Sequence, residues 1–271
     1  MKRKYLVLLA MAVMAVLLLS SCASKKMDIN EVKTENGFQY VSPEAALEAA
    51  KDGKSHILDV RAWENYSTGR VANSEWSPIF PLEDTTLEAS MQEYAKANLQ
   101  DGEKIYIVCN SGKRGAEKTT EILKGLGIDE KLIFTVEGGA KALSDIKGAL
   151  STNRVDEAID WKYIKGSEVL AMEGAQIVDV RDADTYAQGH LAASQNLPLK
   201  EIESAEAQTA MYNLAQSGLD KSKPVYFLCY SGNKCAKTAI SVMLDAGHKA
   251  ENLFIIENGA KDEAISGAFV K

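Results

Sequence analysis

Short apolar runs alternate with stretches of helical spacing along most of the chain. The apolar runs that end at Val60, Val108 and Val136 have the length of buried strands. The stretches 85–99 and 114–126 repeat apolar residues every three or four positions, as amphipathic helices do. Strands that alternate with helices predict an α/β fold with a largely parallel sheet covered on both faces.

The whole pattern occurs twice, at an offset of 120 residues. The strand and polar loop around Cys109 reappear around Cys229, with a helical stretch after each. A repeat of this length indicates two duplicated domains and not a solenoid of short units. We predict that the domains span residues 37–150 and 151–271. No Pro- or Ser-rich spacer separates them, so we expect them to pack together.

The amino terminus has the pattern of a secretory signal over residues 1–21, with a basic start and an apolar core. The small residues before Cys22 resemble the bacterial lipobox, in which cleavage leaves a lipid-modified cysteine. A membrane-spanning helix is the alternative, but the apolar stretch is short for a bilayer. We expect an anchor on Cys22, a tether over residues 22–36 and a place in the cell envelope. Ala23 favours the outer membrane if the organism is Gram-negative.

Composition and charge narrow the class of partner. A chain of 271 residues with 46% hydrophobic residues can build two ordinary cores. The formal net charge of −7 argues against nucleic-acid binding, which relies on basic patches. Four cysteines are too few for a disulfide framework in a chain this long.

A candidate nucleophile stands where the second apolar run meets a predicted helix, at Cys109. Unpaired backbone N–H groups and the positive end of the helix dipole converge there, which favours the reactive thiolate. We expect Ser111, Gly112 and Lys113 to turn their N–H groups inward as an anion nest, beside the positive Arg114. The alternative is a buried core cysteine followed by an ordinary turn.

Four motifs, each present twice and in the same order, carry a family resemblance. They are an Asp-Val-Arg strand end, a Tyr-x-x-Gly-Arg/His segment, a cysteine loop with Ser-Gly, and a late Gly-Ala-Lys turn. Together they resemble rhodanese domains. The resemblance implies a five-stranded, mainly parallel sheet flanked by helices in each domain. It also implies a cysteine that takes sulfane sulfur from a donor such as thiosulfate and holds it as a persulfide.

The implied partners are a small anionic sulfur donor and a thiol or cyanide acceptor. The thiol acceptor is a small molecule or a thioredoxin-like protein. Four residues separate Cys109 from Arg114, whereas phosphatases with this fold have one more and therefore a wider cradle. The shorter loop favours sulfur transfer over phosphate chemistry. We expect no cofactor.

The candidate site residues fall into two equivalent groups. The catalytic candidates are Cys109 and Cys229. The substrate-binding candidates are Asn110, Ser111, Gly112, Lys113 and Arg114 in the first loop, Tyr230, Ser231, Gly232, Asn233 and Lys234 in the second, and Arg61 and Arg181 at the strand ends.

The two copies depart from the family pattern in different places. The first keeps Arg114 but has Arg70 where histidine is usual, Asn65 for glutamate and Glu75-Trp76-Ser77 in a normally small, polar segment. The second has Lys234 in place of the loop arginine, and lysine lacks the planar fork that grips an anion. We therefore rank Cys109 first and Cys229 second.

Several other residues admit two interpretations. Arg61 and Arg181 either contact the donor anion or brace the strand ends through an ion pair with a nearby carboxylate. Trp63 and Trp76 either line the mouth of a pocket or pack in a core. We interpret His190 as a packing and hydrogen-bonding residue and not as a base.

Cys235 stands where the first copy has Gly115, on the first helical turn after the second loop. It is either a small buried residue or a candidate resolving thiol that closes a disulfide with Cys229. A zinc site is not expected, because no second His or Cys pair accompanies these cysteines. The competing functional class is a scaffold whose cradles bind an anion or a persulfide without turnover.

Overall fold

The computed structural model describes residues 31–271, which form two α/β domains. The first domain contains the strands β1 (Lys33–Glu35), β2 (Phe38–Val41), β3 (His56–Asp59), β4 (Glu75–Trp76), β5 (Ile105–Val108) and β6 (Ile133–Val136). Its helices are α1 (Pro43–Asp52), α2 (Trp63–Tyr66), α3 (Thr85–Asn98), α4 (Arg114–Gly125) and α5 (Gly139–Ser144).

The second domain repeats this order of elements. Its strands are β7 (Tyr163–Ile164), β8 (Gln176–Asp179), β9 (Ser194–Asn196), β10 (Val225–Leu228) and β11 (Leu253–Ile256). Its helices are α6 (Gly166–Leu170), α7 (Ala183–Gln188), α8 (Ala205–Ser217), α9 (Lys234–Asp245) and α10 (Glu263–Gly267). The predicted fold class, two mainly parallel sheets flanked by helices, is confirmed.

Each sheet places its cysteine-bearing strand in the interior. The order of the second sheet is β7-β11-β10-β8-β9, and all of its strands are parallel. The first has the order β1-β2-β6-β5-β3-β4. It differs by the edge strand β1, which pairs antiparallel with β2. β1 lies within residues 22–36, the segment that the sequence assigns to a tether.

Alternation along β5 sorts its side chains into two apolar layers. Ile105 and Ile107 pack in the layer beneath α3 and α4, while Tyr106 and Val108 pack in the layer beneath α1 and α5. Cys109, the next residue in the alternation, joins the first of these layers. β10 is arranged in the same way, so each cysteine directly follows its strand and lies beneath the helix that comes next.

Aromatic side chains of the first domain enter the core of the second. Trp63 and Tyr66 belong to the same buried cluster as Met211. The Trp63 ring stacks on Tyr212 with 4.1 Å between centroids, and its indole N–H donates to Thr209 Oγ1 at 2.9 Å. The two domains therefore share a core, as the missing spacer suggests. The packing interpretation of Trp63 is the one found.

Buried charges accompany this shared core. The Arg154 guanidinium donates to Gln208 Oε1 at 2.7 Å and to Asp245 Oδ2 at 2.6 Å. Arg70 is buried and pairs with Glu157 of the second domain. The arginine that replaces a usual histidine in the first copy thus belongs to the domain interface. Breaking one partner of such a buried pair costs about 3–5 kcal/mol.

Within residues 31–271, no helix is both long and apolar enough to cross a membrane. The predicted signal over residues 1–21, Cys22 and most of the predicted tether lie outside the described residues.

We expect Trp63→Ala to lower the free energy of unfolding by about 3–5 kcal/mol, because it removes a large side chain from the shared core. Urea unfolding of this variant is also expected to show separate transitions for the two domains, because their contact is weakened. The exposed Leu170→Ala is the control, with an effect of about 0.5 kcal/mol or less. A single transition at the wild-type midpoint would contradict a shared core.

A charged histidine lies between two carboxylates at the start of β3. His56 Nδ1 lies 2.6 Å from Glu75 Oε1, and Nε2 lies 3.1 Å from Asp101 Oδ2. The hydrogen bond to Glu75 raises the pKa of His56 to about 9, although partial burial acts in the opposite direction. His56 is therefore protonated in the folded protein at neutral pH.

Because the folded pKa of His56 lies above the ordinary value of 6.5, its stabilising effect is complete below pH 6.5. The effect is lost as the pH rises through 9. We expect the wild-type Tm to fall over this interval relative to that of His56→Gln. Thermal unfolding at half-unit steps of pH measures this. Parallel profiles for the two proteins would show that His56 does not contribute.

Candidate active site

The two cysteines occupy equivalent places at the carboxyl edges of the sheets. Val108 aligns with Asp59 and Leu228 aligns with Asp179, so each cysteine follows its strand beside an Asp-Val-Arg strand end. Functional loops of parallel sheets lie at this edge. Cys109 and Cys229 are each only 2% exposed.

Each cysteine loop is locked against the late glycine turn of its own domain. In the first domain, Ala140 N donates to Cys109 O at 2.8 Å. A Cβ on Gly139 would lie 2.2 Å from that same oxygen, and a Cβ on Gly112 would lie 2.4 Å from Val136 O. Both glycines also have positive φ, so no other residue fits without moving the backbone.

The second domain has the same lock. Ala260 N donates to Cys229 O at 2.8 Å, and a Cβ on Gly259 would lie 2.1 Å from that oxygen. Gly232 has a φ of 64°, against 65° for Gly112 in the first domain. The two loops therefore share one backbone conformation.

The helix that follows each loop begins without a side-chain cap. Lys113 and Asn233 are the N-cap residues of α4 and α9, and neither side chain accepts a helix N–H. In the second domain, Asn233 N donates to Cys229 Sγ at 3.3 Å. In the first, Cys109 Sγ lies 4.0 Å from Lys113 O. The predicted amide contact to sulfur is thus present in the second loop, while a carbonyl oxygen is the polar contact in the first.

Most of the predicted substrate-binding side chains lie at the surface of their loops. The exposed residues are Asn110, Ser111, Lys113, Arg114, Ser231, Asn233 and Lys234, whereas Gly112 and Gly232 are buried. Arg114 lines a groove of about 810 Å³ along α4, together with Leu82 and Glu88. Its guanidinium therefore lies on the solvent side of the helix start.

Arg61 and Arg181 are committed to the strand ends. Arg61 Nε lies 2.9 Å from Asp59 Oδ1, and a terminal nitrogen donates to Gly69 O at 2.8 Å. Arg181 repeats this arrangement with Asp179, and its guanidinium packs 4.7 Å from the centre of the Phe269 ring. Both arginines are buried. This arrangement matches the bracing interpretation and not donor contact.

Tyr230 is half-buried, and its hydroxyl contacts a residue that sequence reasoning missed. The hydroxyl donates to the Asp182 carboxylate and accepts a hydrogen bond from Asp182 N at 2.9 Å. This contact holds the pKa of Asp182 below its usual range. Lys200 Nζ lies 3.6 Å from the same carboxylate. The first copy has Asn110 at the position of Tyr230 and Ala62 at the position of Asp182. Comparing the two copies would therefore have indicated that the Tyr230–Asp182 pair is specific to the second domain.

His190 behaves as the sequence suggests. Its ring stacks on Tyr186 with 4.0 Å between centroids, and Nδ1 lies 3.1 Å from Tyr186 O. These contacts pack the segment after α7 against that helix.

The family pattern of the rhodanese-like domain matches residues 42–145 and 166–262, which together make up most of the chain. The chain belongs to the rhodanese-like domain family. It carries two such domains, and both retain a cysteine in the rhodanese loop. A comparison with curated protein sequences finds no match.

Solved structures are similar at low identity. An As-Sb reductase from Leishmania major is 20% identical, with 42% of this chain and 85% of that chain covered and a TM-score of 0.35. A rhodanese-like domain from Anabaena sp. is 17% identical, with 41% and 77% covered and a TM-score of 0.33. A thiosulfate sulfurtransferase from Pseudomonas aeruginosa is 16% identical, with 83% and 42% covered and a TM-score of 0.37. The family assignment rests on the two matched segments.

We expect Gly112→Ala to destabilise the protein by about 1–3 kcal/mol, because its Cβ would meet Val136 O and its φ is positive. Gly125→Ala is the matched control. No atom lies within 4 Å of its added Cβ, so its effect is expected to be neutral or a gain of up to about 1 kcal/mol. Denaturant unfolding compares the two variants. Equal midpoints would show that the cysteine loop is not tightly packed against the late glycine turn.

Proposed function

We propose that the protein is a rhodanese-type sulfurtransferase anchored to the cell envelope. It moves sulfane sulfur from a donor such as thiosulfate, through a cysteine persulfide, to a thiol or cyanide acceptor. The observation that carries this proposal is the hydrogen bond from Asn233 N to Cys229 Sγ, in a loop whose twin holds Cys109. A backbone N–H aimed at sulfur stabilises a negative charge on it.

The first half-reaction needs an anionic nucleophile and an anionic donor at one place. The cysteine thiolate attacks the outer sulfur of thiosulfate, the S–S bond of thiosulfate breaks, and sulfite leaves with the electron pair. Lys113 and Arg114 lie exposed beside the Cys109 loop and attract the donor. Lys234 has this role beside Cys229. The negative charge then resides on the outer sulfur of the persulfide.

The second half-reaction passes that sulfur to an acceptor. A thiolate or cyanide attacks the outer sulfur, and the cysteine thiolate is the leaving group. The acceptor we propose is a small thiol or a thioredoxin-like protein. Attachment through a lipid on Cys22, to the outer membrane in a Gram-negative organism, would keep this exchange at the membrane surface.

One observation favours the competing function, a scaffold that binds an anion or a persulfide without turnover. Both cysteines are only 2% exposed, and Cys109 faces a carbonyl oxygen. Turnover therefore requires the exposed residues of each loop, such as Asn110 and Ser111, to admit the donor.

We expect Cys109→Ser to lose most of the thiosulfate:cyanide activity, by roughly tenfold or more, because it removes the nucleophile of the loop that carries both Lys113 and Arg114. Thiocyanate formation measures the turnover, and intact-protein mass spectrometry after addition of thiosulfate measures persulfide formation.

Cys229→Ser is the matched control and is expected to keep most of the cyanide-dependent turnover. The double variant is expected to form no thiocyanate. Near-wild-type activity of Cys109→Ser together with an inactive Cys229→Ser would reverse our ranking. If the wild type binds thiosulfate but forms neither persulfide nor thiocyanate, the scaffold is the function.

A further inference from the structure

The second domain has a second thiol next to its cysteine loop, and the first domain has none. Cys235 is the second residue of α9, and Gly115 is the second residue of α4. Cys235 is 9% exposed and shares one buried cluster with Cys229. Position 115/235 is therefore the point at which the two loop regions differ in their number of thiols.

The geometry of the first domain shows how close position 115/235 lies to the loop cysteine. A Cβ added to Gly115 would lie 3.2 Å from Cys109 Cβ. Cβ atoms joined by a disulfide lie about 3.5–4.5 Å apart, so a shift of a few tenths of an ångström gives the required separation.

The same separation applies in the second domain because the two loops have one conformation. Lys113 has φ −134° and ψ −126°, and Asn233 has φ −142° and ψ −121°. Both helices begin one residue later. The Cβ of Cys235 thus occupies the place of the added Cβ, beside Cys229.

The second domain also provides the space for this thiol. In the first domain, Phe80 Cε2 would lie 2.5 Å from a Cβ on Gly115, so the aromatic ring fills the place. The equivalent of Phe80 is Lys200, an exposed side chain that reaches out to Asp182. The first domain therefore combines a large ring, Phe80, with Gly115, whereas the second combines the outward-reaching Lys200 with Cys235.

The two sulfurs of the second domain differ in their surroundings. Cys229 Sγ accepts the hydrogen bond from Asn233 N, which suits a thiolate. Burial, together with the negative charge of Cys229, raises the pKa of Cys235 to about 11. Cys235 is therefore held as a protonated thiol while Cys229 reacts with the donor. The influence of one sulfur's charge on the other also indicates that they are close.

We propose that Cys235 resolves the persulfide of Cys229 and releases hydrosulfide, so that the second domain reduces sulfane sulfur instead of passing it on. This inference rests on the proposed function, because it begins from the persulfide. Domain 1 has Gly115 at this position and keeps its persulfide for an external acceptor.

The step balances within the chain. Cys235 sulfur attacks Cys229 Sγ, a disulfide bond forms, and the bond from Cys229 Sγ to the sulfane sulfur breaks. The electron pair of that bond leaves with the sulfane sulfur, which takes the proton lost by Cys235 and departs as hydrosulfide. The two thiols are oxidised and the sulfane sulfur is reduced. A dithiol reductant then restores both thiols by disulfide exchange.

The test is a single loading of the full chain, reduced, freed of reductant and kept anaerobic. Thiosulfate is added without cyanide or thiol. We expect the wild type to release about one hydrosulfide per chain, since one disulfide forms for each sulfane sulfur reduced. Peptide mass mapping is expected to find a Cys229–Cys235 disulfide and a persulfide on Cys109, the internal control.

Two variants isolate the role of Cys235. Cys235→Ala is expected to release no hydrosulfide and to accumulate the Cys229 persulfide. The double variant Phe80→Lys/Gly115→Cys gives the first domain the same pair of thiols, and it is expected to release a second hydrosulfide per chain. The gain in the double variant does not depend on how well Cys235→Ala folds.

The outcomes separate this inference from the proposed function. If the wild type and Cys235→Ala hold the Cys229 persulfide equally and neither releases hydrosulfide, Cys235 is not a resolving thiol although sulfur transfer stands. If no persulfide forms on Cys109 in any variant, nor on Cys229 in Cys235→Ala, sulfur transfer itself fails and the inference fails with it.

Discussion

The close contact between each cysteine loop and the late glycine turn is the constraint on which the site depends. Cys109 O accepts a hydrogen bond from Ala140 N, and a Cβ on Gly139 would overlap with that oxygen. The same geometry around Cys229 O fixes the second loop. Because the backbone is held in this way, the cysteine must face the start of a helix whatever the neighbouring side chains are. Charge and thiol content can then vary between the copies without changing the loop conformation.

The differences between the two copies follow from what each must pack against. Trp63, Tyr66 and Arg70 of the first copy serve the interface with the second. Position 70/190 makes an isolated β-bridge in both copies. Arg70 pairs with Ser151, and His190 pairs with Val270 near the end of the second domain. Arg70 pairs with Glu157, and Trp76 packs edge-on against Tyr212 of the second domain with 5.5 Å between ring centroids. These two departures from the family pattern therefore serve the packing between the domains.

Sequence alone predicted the strands that lead to Val60, Val108 and Val136, the duplication and the position of both cysteines, because apolar periodicity is a local signal and the offset is constant. It did not predict the short elements β1, β2, β4 and α2, whose few residues carry no clear periodicity. It did not decide the roles of Arg61 and Arg181, since the choice between an ion pair and a ligand contact depends on burial. It also placed Arg114 beside the sulfur, whereas its side chain lines an outer groove. The shared core of Trp63 and Tyr212 depends on residues far apart in the chain, so no local pattern indicates it.

The antiparallel edge strand β1 sets a limit on the length of the proposed membrane attachment. Lys33 already belongs to the first sheet, so only the chain between Cys22 and Lys33 would connect the domains to the lipid proposed on Cys22. Fully extended, that chain reaches at most about 40 Å. Under the proposed attachment, the two domains would stay within this distance of the membrane surface, and the proposed sulfur transfer would depend on the concentration of donor and acceptor in that layer.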